Sequence, residues 1–109
     1  HQFDAAAFQK MKSTAIIVNT ARGALIDFDA LKTAVKNEDI SGAALDVFDP
    51  EPPDLSDPFF QHDRIITTPH AAFISQESLD ELRQQAACQV ADVLVGKKPS
   101  NVVNPAVYE

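Results

Sequence analysis

The sequence has no tryptophan and very little cysteine or glycine. A single cysteine, Cys88, cannot close an internal disulfide, so the chain is expected to be at home in a reducing, cytoplasmic setting. With Ala86, Ala87 and Val90 for neighbours on an expected helix, Cys88 reads as a buried structural thiol. The three glycines, Gly23, Gly42 and Gly96, lie too far apart for a Gly-x-Gly-x-x-Gly phosphate loop. Positive charge is also scarce: nine Lys and Arg face sixteen Asp and Glu, for a net charge of -7. With no basic run longer than Lys97-Lys98, duplex nucleic acid is not an expected partner. No apolar run approaches the roughly 20 residues of a membrane span, so no membrane partner is expected. The opening His1-Gln2-Phe3-Asp4 resembles no signal peptide and has no initiating Met, and it reads as the start of an internal fragment or processed product.

The remaining residues are 45% hydrophobic and 23% charged, an ordinary globular balance. Residues 3–12 suggest a short helix capped by Asp4. Residues 15–18, Ala-Ile-Ile-Val, suggest a strand covered on both faces, because the run is continuous and β-branched. After a turn over 19–23, residues 27–37 suggest a helix capped by Asp27 or Asp29, with Phe28, Leu31, Ala34 and Val35 on one face. Residues 41–47 form a second apolar strand. Pro50, Pro52, Pro53 and Pro58 exclude regular structure from the loop that follows, and residues 64–67 form a third strand stopped by Pro69. From Ser75 to about Gly96 runs the longest helix, with Leu79, Leu82, Ala86, Val90, Val93 and Leu94 as its stripe. Crossovers of this length allow parallel pairing, so the pattern is α/β, half of a doubly wound sheet with one broken edge.

Sheets of this kind place ligands just past the C-terminal ends of their strands. Arg22 follows the first strand, Glu51 the second and His70 the third, while Asp46 ends the second strand itself. Singly, each has a plain reading as a loop or turn residue. Asp46 is the exception, because a carboxylate between Leu45 and Val47 needs a partner. Together they supply a cation, an acid/base and a carboxylate to orient it, which suits proton transfer coupled to anion binding.

Three stretches carry a resemblance. Asn19-Thr20-Ala21-Arg22-Gly23, Gly42 to Phe48 followed by Glu51-Pro52, and Thr68-Pro69-His70-Ala71-Ala72-Phe73 resemble, in order, the three signatures of the D-isomer-specific 2-hydroxyacid dehydrogenases. The resemblance runs on to Asn101-Val102-Val103-Asn104-Pro105. It implies the C-terminal half of a Rossmann-type parallel sheet over residues 1–74. Residues 75–109 would then be a long helix and tail returning to a substrate domain outside the chain. It implies an oxidoreductase, using NAD or NADP, that interconverts small 2-keto and D-2-hydroxy acids and is a homodimer at full length. His70 is then similar to the catalytic acid/base, Glu51 to its orienting carboxylate and Arg22 to the substrate anchor. Asp46 would face the nicotinamide carboxamide, and Thr20, Ala21, Arg22, His70 and Ala72 would complete the cofactor-binding set. Without a phosphate loop these residues alone are expected to be inactive. The alternative is a nicotinamide-sensing binding protein of the related co-repressor type.

Overall fold

The computed structural model describes residues 1–108. It contains six principal elements: α1 (Ala5–Phe8), β1 (Ile16–Asn19), α2 (Phe28–Lys36), β2 (Gly42–Leu45), β3 (Ile65–Thr67) and α3 (Gln76–Leu94). Three short 3-10 turns, Gly23–Leu25, Pro58–Gln61 and Pro105–Tyr108, lie between or after them. The chain forms two compact units, His1–Ala72 and Phe73 onward.

In the first unit the strands are parallel and in sequence order, β1-β2-β3. Ile17 pairs with Ala43 and Ala43 with Ile65, which puts these three on one face. That face meets Phe8 of α1 and Leu31, Ala34 and Val35 of α2, all almost fully buried, with Ile40 sealing the turn into β2. The α2 helix forms where expected because Asp27 accepts from the Ala30 N–H at its first turn and Lys36 stands in its last. Its apolar stripe is the expected one, with Phe28 partly buried beside it.

The other face of the sheet corrects an expectation. Ile16 and Val18 are each 65% exposed and Ile66 66%, so β1 is covered on one face only. The reason is that α1 and α2 both pack on the Ile17–Ala43 side. The first helix is also shorter than residues 3–12 suggested: it covers Ala5–Phe8, after which backbone turns take the chain to Thr14. Phe3 leaves the helix to make an isolated parallel bridge with Ile26.

The proline-rich loop folds onto four phenylalanines. Phe59 and Phe60 pack against Phe28 with ring centroids 5.1 and 5.8 Å apart, and Phe60 meets Phe48 at 5.8 Å. Asp57 caps the Pro58–Gln61 turn through the Phe59 N–H and pairs with Lys32 of α2. These contacts tie the loop carrying Glu51 to the crossover helix.

In the second unit, α3 starts at a capping box in which Ser75 and Ser78 exchange side-chain to backbone bonds. It ends at Gly96, whose φ of 77° lets the chain turn left-handed while Lys97 N–H donates to Asp92 O. No residue of α3 is buried. Cys88 is therefore exposed, not the buried thiol its neighbours suggested, because the apolar stripe beside it is itself uncovered. No helix among the described residues is long and apolar enough to cross a membrane.

Candidate functional site

The C-terminal ends of β1, β2 and β3 lead into three segments that carry Arg22, Asp46 with Glu51, and His70. Asn19, buried at 6% exposure, builds the first of these. Its Oδ1 accepts from the Ala21 N–H at 3.1 Å and its Nδ2 donates to the Arg22 carbonyl at 2.9 Å. The side chain thus folds the backbone around Thr20 and Ala21, which are exposed, and presents an extended, exposed Arg22 (φ -151°). Arg22 Nη1 donates to the Ala21 carbonyl at 2.6 Å.

Gly23 closes the same turn against the second segment. A Cβ there would lie 2.1 Å from the Phe48 carbonyl carbon and 2.6 Å from the Asp49 nitrogen, so no side chain fits. Gly42 is equally constrained, with the Arg64 carbonyl oxygen 2.4 Å from the place a Cβ would take.

Glu51 holds its carboxylate by both oxygens. Oε1 accepts from the Phe48 N–H at 2.7 Å, and Oε2 lies 2.9 Å from Nδ1 of His70. The Phe48 N–H, then the His70 ring, keep the Glu51 carboxyl below its usual value of 4.5. Both side chains are part-exposed, at 36% for Glu51 and 44% for His70. They border a cavity of about 480 Å³ walled mainly by Phe48, Pro52, Pro53, Leu55 and Pro69.

Asp46 is buried at 3% exposure, and its carboxylate has partners on both sides of His70. Oδ1 accepts from the Thr68 hydroxyl and from the Ala71 N–H at 2.8 Å, and Oδ2 accepts from the Ala72 N–H at 2.9 Å. The Thr68 hydroxyl first, then the Ala72 and Ala71 N–H groups, outweigh burial and hold the Asp46 carboxyl below its usual 3.8. Its own N–H donates to the Asn19 carbonyl at 2.9 Å, which joins the ends of β1 and β2.

The structure therefore pairs His70 with Glu51 and binds Asp46 to the segment carrying His70, with Ala72 taking part through its N–H. Arg22, Thr20 and Ala21 occupy the neighbouring turn and do not line the Glu51–His70 cavity. Two polar contributors, Asn19 and Thr68, had no assigned role in the sequence reading. Asn19 was legible in principle, as a polar residue ending an apolar strand two places before Ala21. Thr68 was not, because its partner is 22 residues away. No His, Cys, Asp and Glu grouping suited to a metal ion occurs among the described residues.

The family model described as "D-isomer specific 2-hydroxyacid dehydrogenase, NAD binding domain" matches residues 1–72. A glyoxylate reductase from Thermofilum pendens is 38% identical over 109 residues, which is all of this chain and 32% of that protein. Among solved structures, a D-lactate dehydrogenase with NAD+ from Lactobacillus jensenii superimposes with a TM-score of 0.78 at 26% identity, over 92% of this chain and 34% of its own. A D-isomer specific 2-hydroxyacid dehydrogenase from Xanthobacter autotrophicus, in complex with NADPH and MES, gives 0.80 at 28% identity, over 99% of this chain and 44% of its own. The chain thus spans about a third of the length of the curated relative. The α/β unit of three parallel strands and the residues matched by the model lead to one conclusion: this chain belongs to the D-isomer specific 2-hydroxyacid dehydrogenases, through their NAD-binding domain.

Proposed function

We propose that these residues supply the proton-transfer and anion-binding part of an active site that interconverts a small 2-keto acid and a D-2-hydroxy acid. The observation that carries this reading is the 2.9 Å pairing of Glu51 Oε2 with His70 Nδ1 at the ends of adjacent parallel strands. A carboxylate on Nδ1 fixes the ring's tautomer and steadies the imidazolium, so proton exchange with substrate falls to Nε2. Arg22 is the anchor: its planar guanidinium matches a carboxylate through two parallel charge-assisted bonds. The same group stabilises negative charge as it grows on the keto oxygen. Glyoxylate, the substrate named for the T. pendens relative, is the smallest ligand of this type and the first to test.

A nicotinamide cofactor, NAD or NADP, would supply the hydride when bound. The residues present fit its nicotinamide end. Thr20, Ala21 and Ala72 are small and exposed beside Arg22 and His70, and Asp46 Oδ2 is an acceptor beside Ala72. They do not include a phosphate cradle. Gly23 and Gly42 are occupied in packing against backbone and Gly96 ends α3, so each glycine already has a structural task. We place the dinucleotide-binding part at residues 1–74 and the helix and tail from residue 75 onward, within a cytoplasmic homodimer.

The test is reduction of glyoxylate and other 2-keto acids by the complete gene product with NADH and NADPH. Turnover that collapses in His70→Ala supports the reading. Absence of turnover with every 2-keto acid, with cofactor bound, removes it.

A further inference from the structure

His70 has a backbone φ of 52°, in the left-handed region that a residue with a Cβ avoids. Such a conformation is strained and persists where the surroundings hold it. Here the holding groups are visible, and they bracket His70 in sequence. Two residues before it, the Thr68 hydroxyl donates to Asp46 Oδ1. One and two residues after it, the Ala71 and Ala72 N–H groups donate to Oδ1 and Oδ2. The backbone also tightens across the bend, the His70 N–H donating to the Thr68 carbonyl at 3.1 Å. Asp46 is itself anchored, since it is buried and its N–H is bonded to Asn19.

From this geometry we infer that Thr68 is a positioning residue, the arm by which Asp46 holds the strained turn that keeps the His70 ring against Glu51. The two N–H donors follow His70, so they fix only its C-terminal side. Thr68 is the one side chain in this set that fixes the N-terminal side. It also neighbours Pro69, which has no N–H to contribute. Without the hydroxyl, Asp46 still grips Ala71 and Ala72 and the Thr68 N–H still donates to the Leu45 carbonyl at 3.0 Å, but the segment between these holds, at residues 69–70, can relax. The ring then leaves the narrow geometry that proton transfer requires, where a displacement of about 1 Å can cost on the order of 100-fold in rate. Thr68 does not touch the reacting atoms in this account. It acts through Asp46 and the backbone of His70. The inference rests on the proposed role of His70, but the hold on the turn can be read without activity.

The experiment compares the complete gene product with Thr68→Val, which removes the hydroxyl at nearly constant shape, and Thr68→Ser, which keeps it. Two readouts are taken: steady-state 2-keto acid reduction, and the ring ¹⁵N shifts of His70 in histidine-labelled protein. Thr68→Val is expected to lower kcat by roughly 10- to 100-fold while KM changes little. It should also move the His70 Nδ1 shift toward that of Glu51→Gln. Thr68→Ser should restore both. A Thr68→Val protein with wild-type His70 shifts and wild-type kcat overturns the inference. So does a loss of activity that merely follows the unfolded fraction while the shifts of the folded protein stay as in wild type. If wild type reduces no 2-keto acid yet Thr68→Val still moves the His70 shifts, the proposed function fails and the hold exerted by Thr68 stands.

Discussion

Gly23 lies so close to Phe48 that a Cβ on Gly23 would sit 2.1 Å from the Phe48 carbonyl carbon. The contact locks the turn presenting Arg22 to the start of the loop carrying Glu51. Phe48 contributes twice, because its N–H also holds Glu51 Oε1.

Gly23→Ala should therefore disturb both segments at once. The obstacle is backbone, which cannot swing aside as a side-chain tip can. A destabilisation of about 1–3 kcal/mol is expected from the overpacking, with weaker binding of the keto acid in the folded remainder. Urea unfolding of the variant measures the first effect, and an unchanged midpoint would show that the turn gives way freely.

Arg22→Lys should raise KM for the keto acid and lower kcat. A lysine ammonium keeps the charge but cannot form the planar fork that grips a carboxylate by two bonds. Steady-state kinetics decide this, and wild-type constants in the variant would dismiss the anchor role.

Asp46 gives a prediction about pH. Its carboxyl is held below the usual 3.8, first by the Thr68 hydroxyl and then by the Ala72 and Ala71 N–H groups. A carboxylate whose folded value is depressed adds stability that is present above its unfolded value. That stability is lost as pH falls through the folded one. Wild type should therefore exceed Asp46→Asn in stability at neutral pH, and the gap should shrink as pH drops below 3.8. Unfolding midpoints of the two proteins across that range test the sign. A gap that stays constant or widens in acid would contradict it.

The local code accounts for most of the fold. Asp27 capping α2, the Ser75–Ser78 box, Gly96 at the end of α3 and the β-branched run of β1 each announce themselves within a few residues. The order of Arg22, Asp46, Glu51 and His70 relative to strand ends was legible for the same reason. What was not legible depends on distant partners. An apolar run such as Ile16-Ile17-Val18 shows that a strand is apolar on both sides, but not which side α1 and α2 will cover. Cys88 looked buried because its neighbours are small and apolar, whereas burial depends on what lies over the helix. The Thr68–Asp46 bond joins residues on two strand ends and leaves no periodic trace.

In the proposed function, His70, oriented by Glu51, passes the proton in a nicotinamide-dependent reduction of a 2-keto acid. The most direct measurement is steady-state glyoxylate reduction by the complete gene product and its His70→Ala variant, alongside cofactor binding by fluorescence titration. Turnover is expected in wild type and a fall of roughly 10²–10⁴-fold in His70→Ala, the range for a lost general acid. Cofactor affinity should change little. A His70→Ala enzyme that turns over near the wild-type rate would contradict the claim.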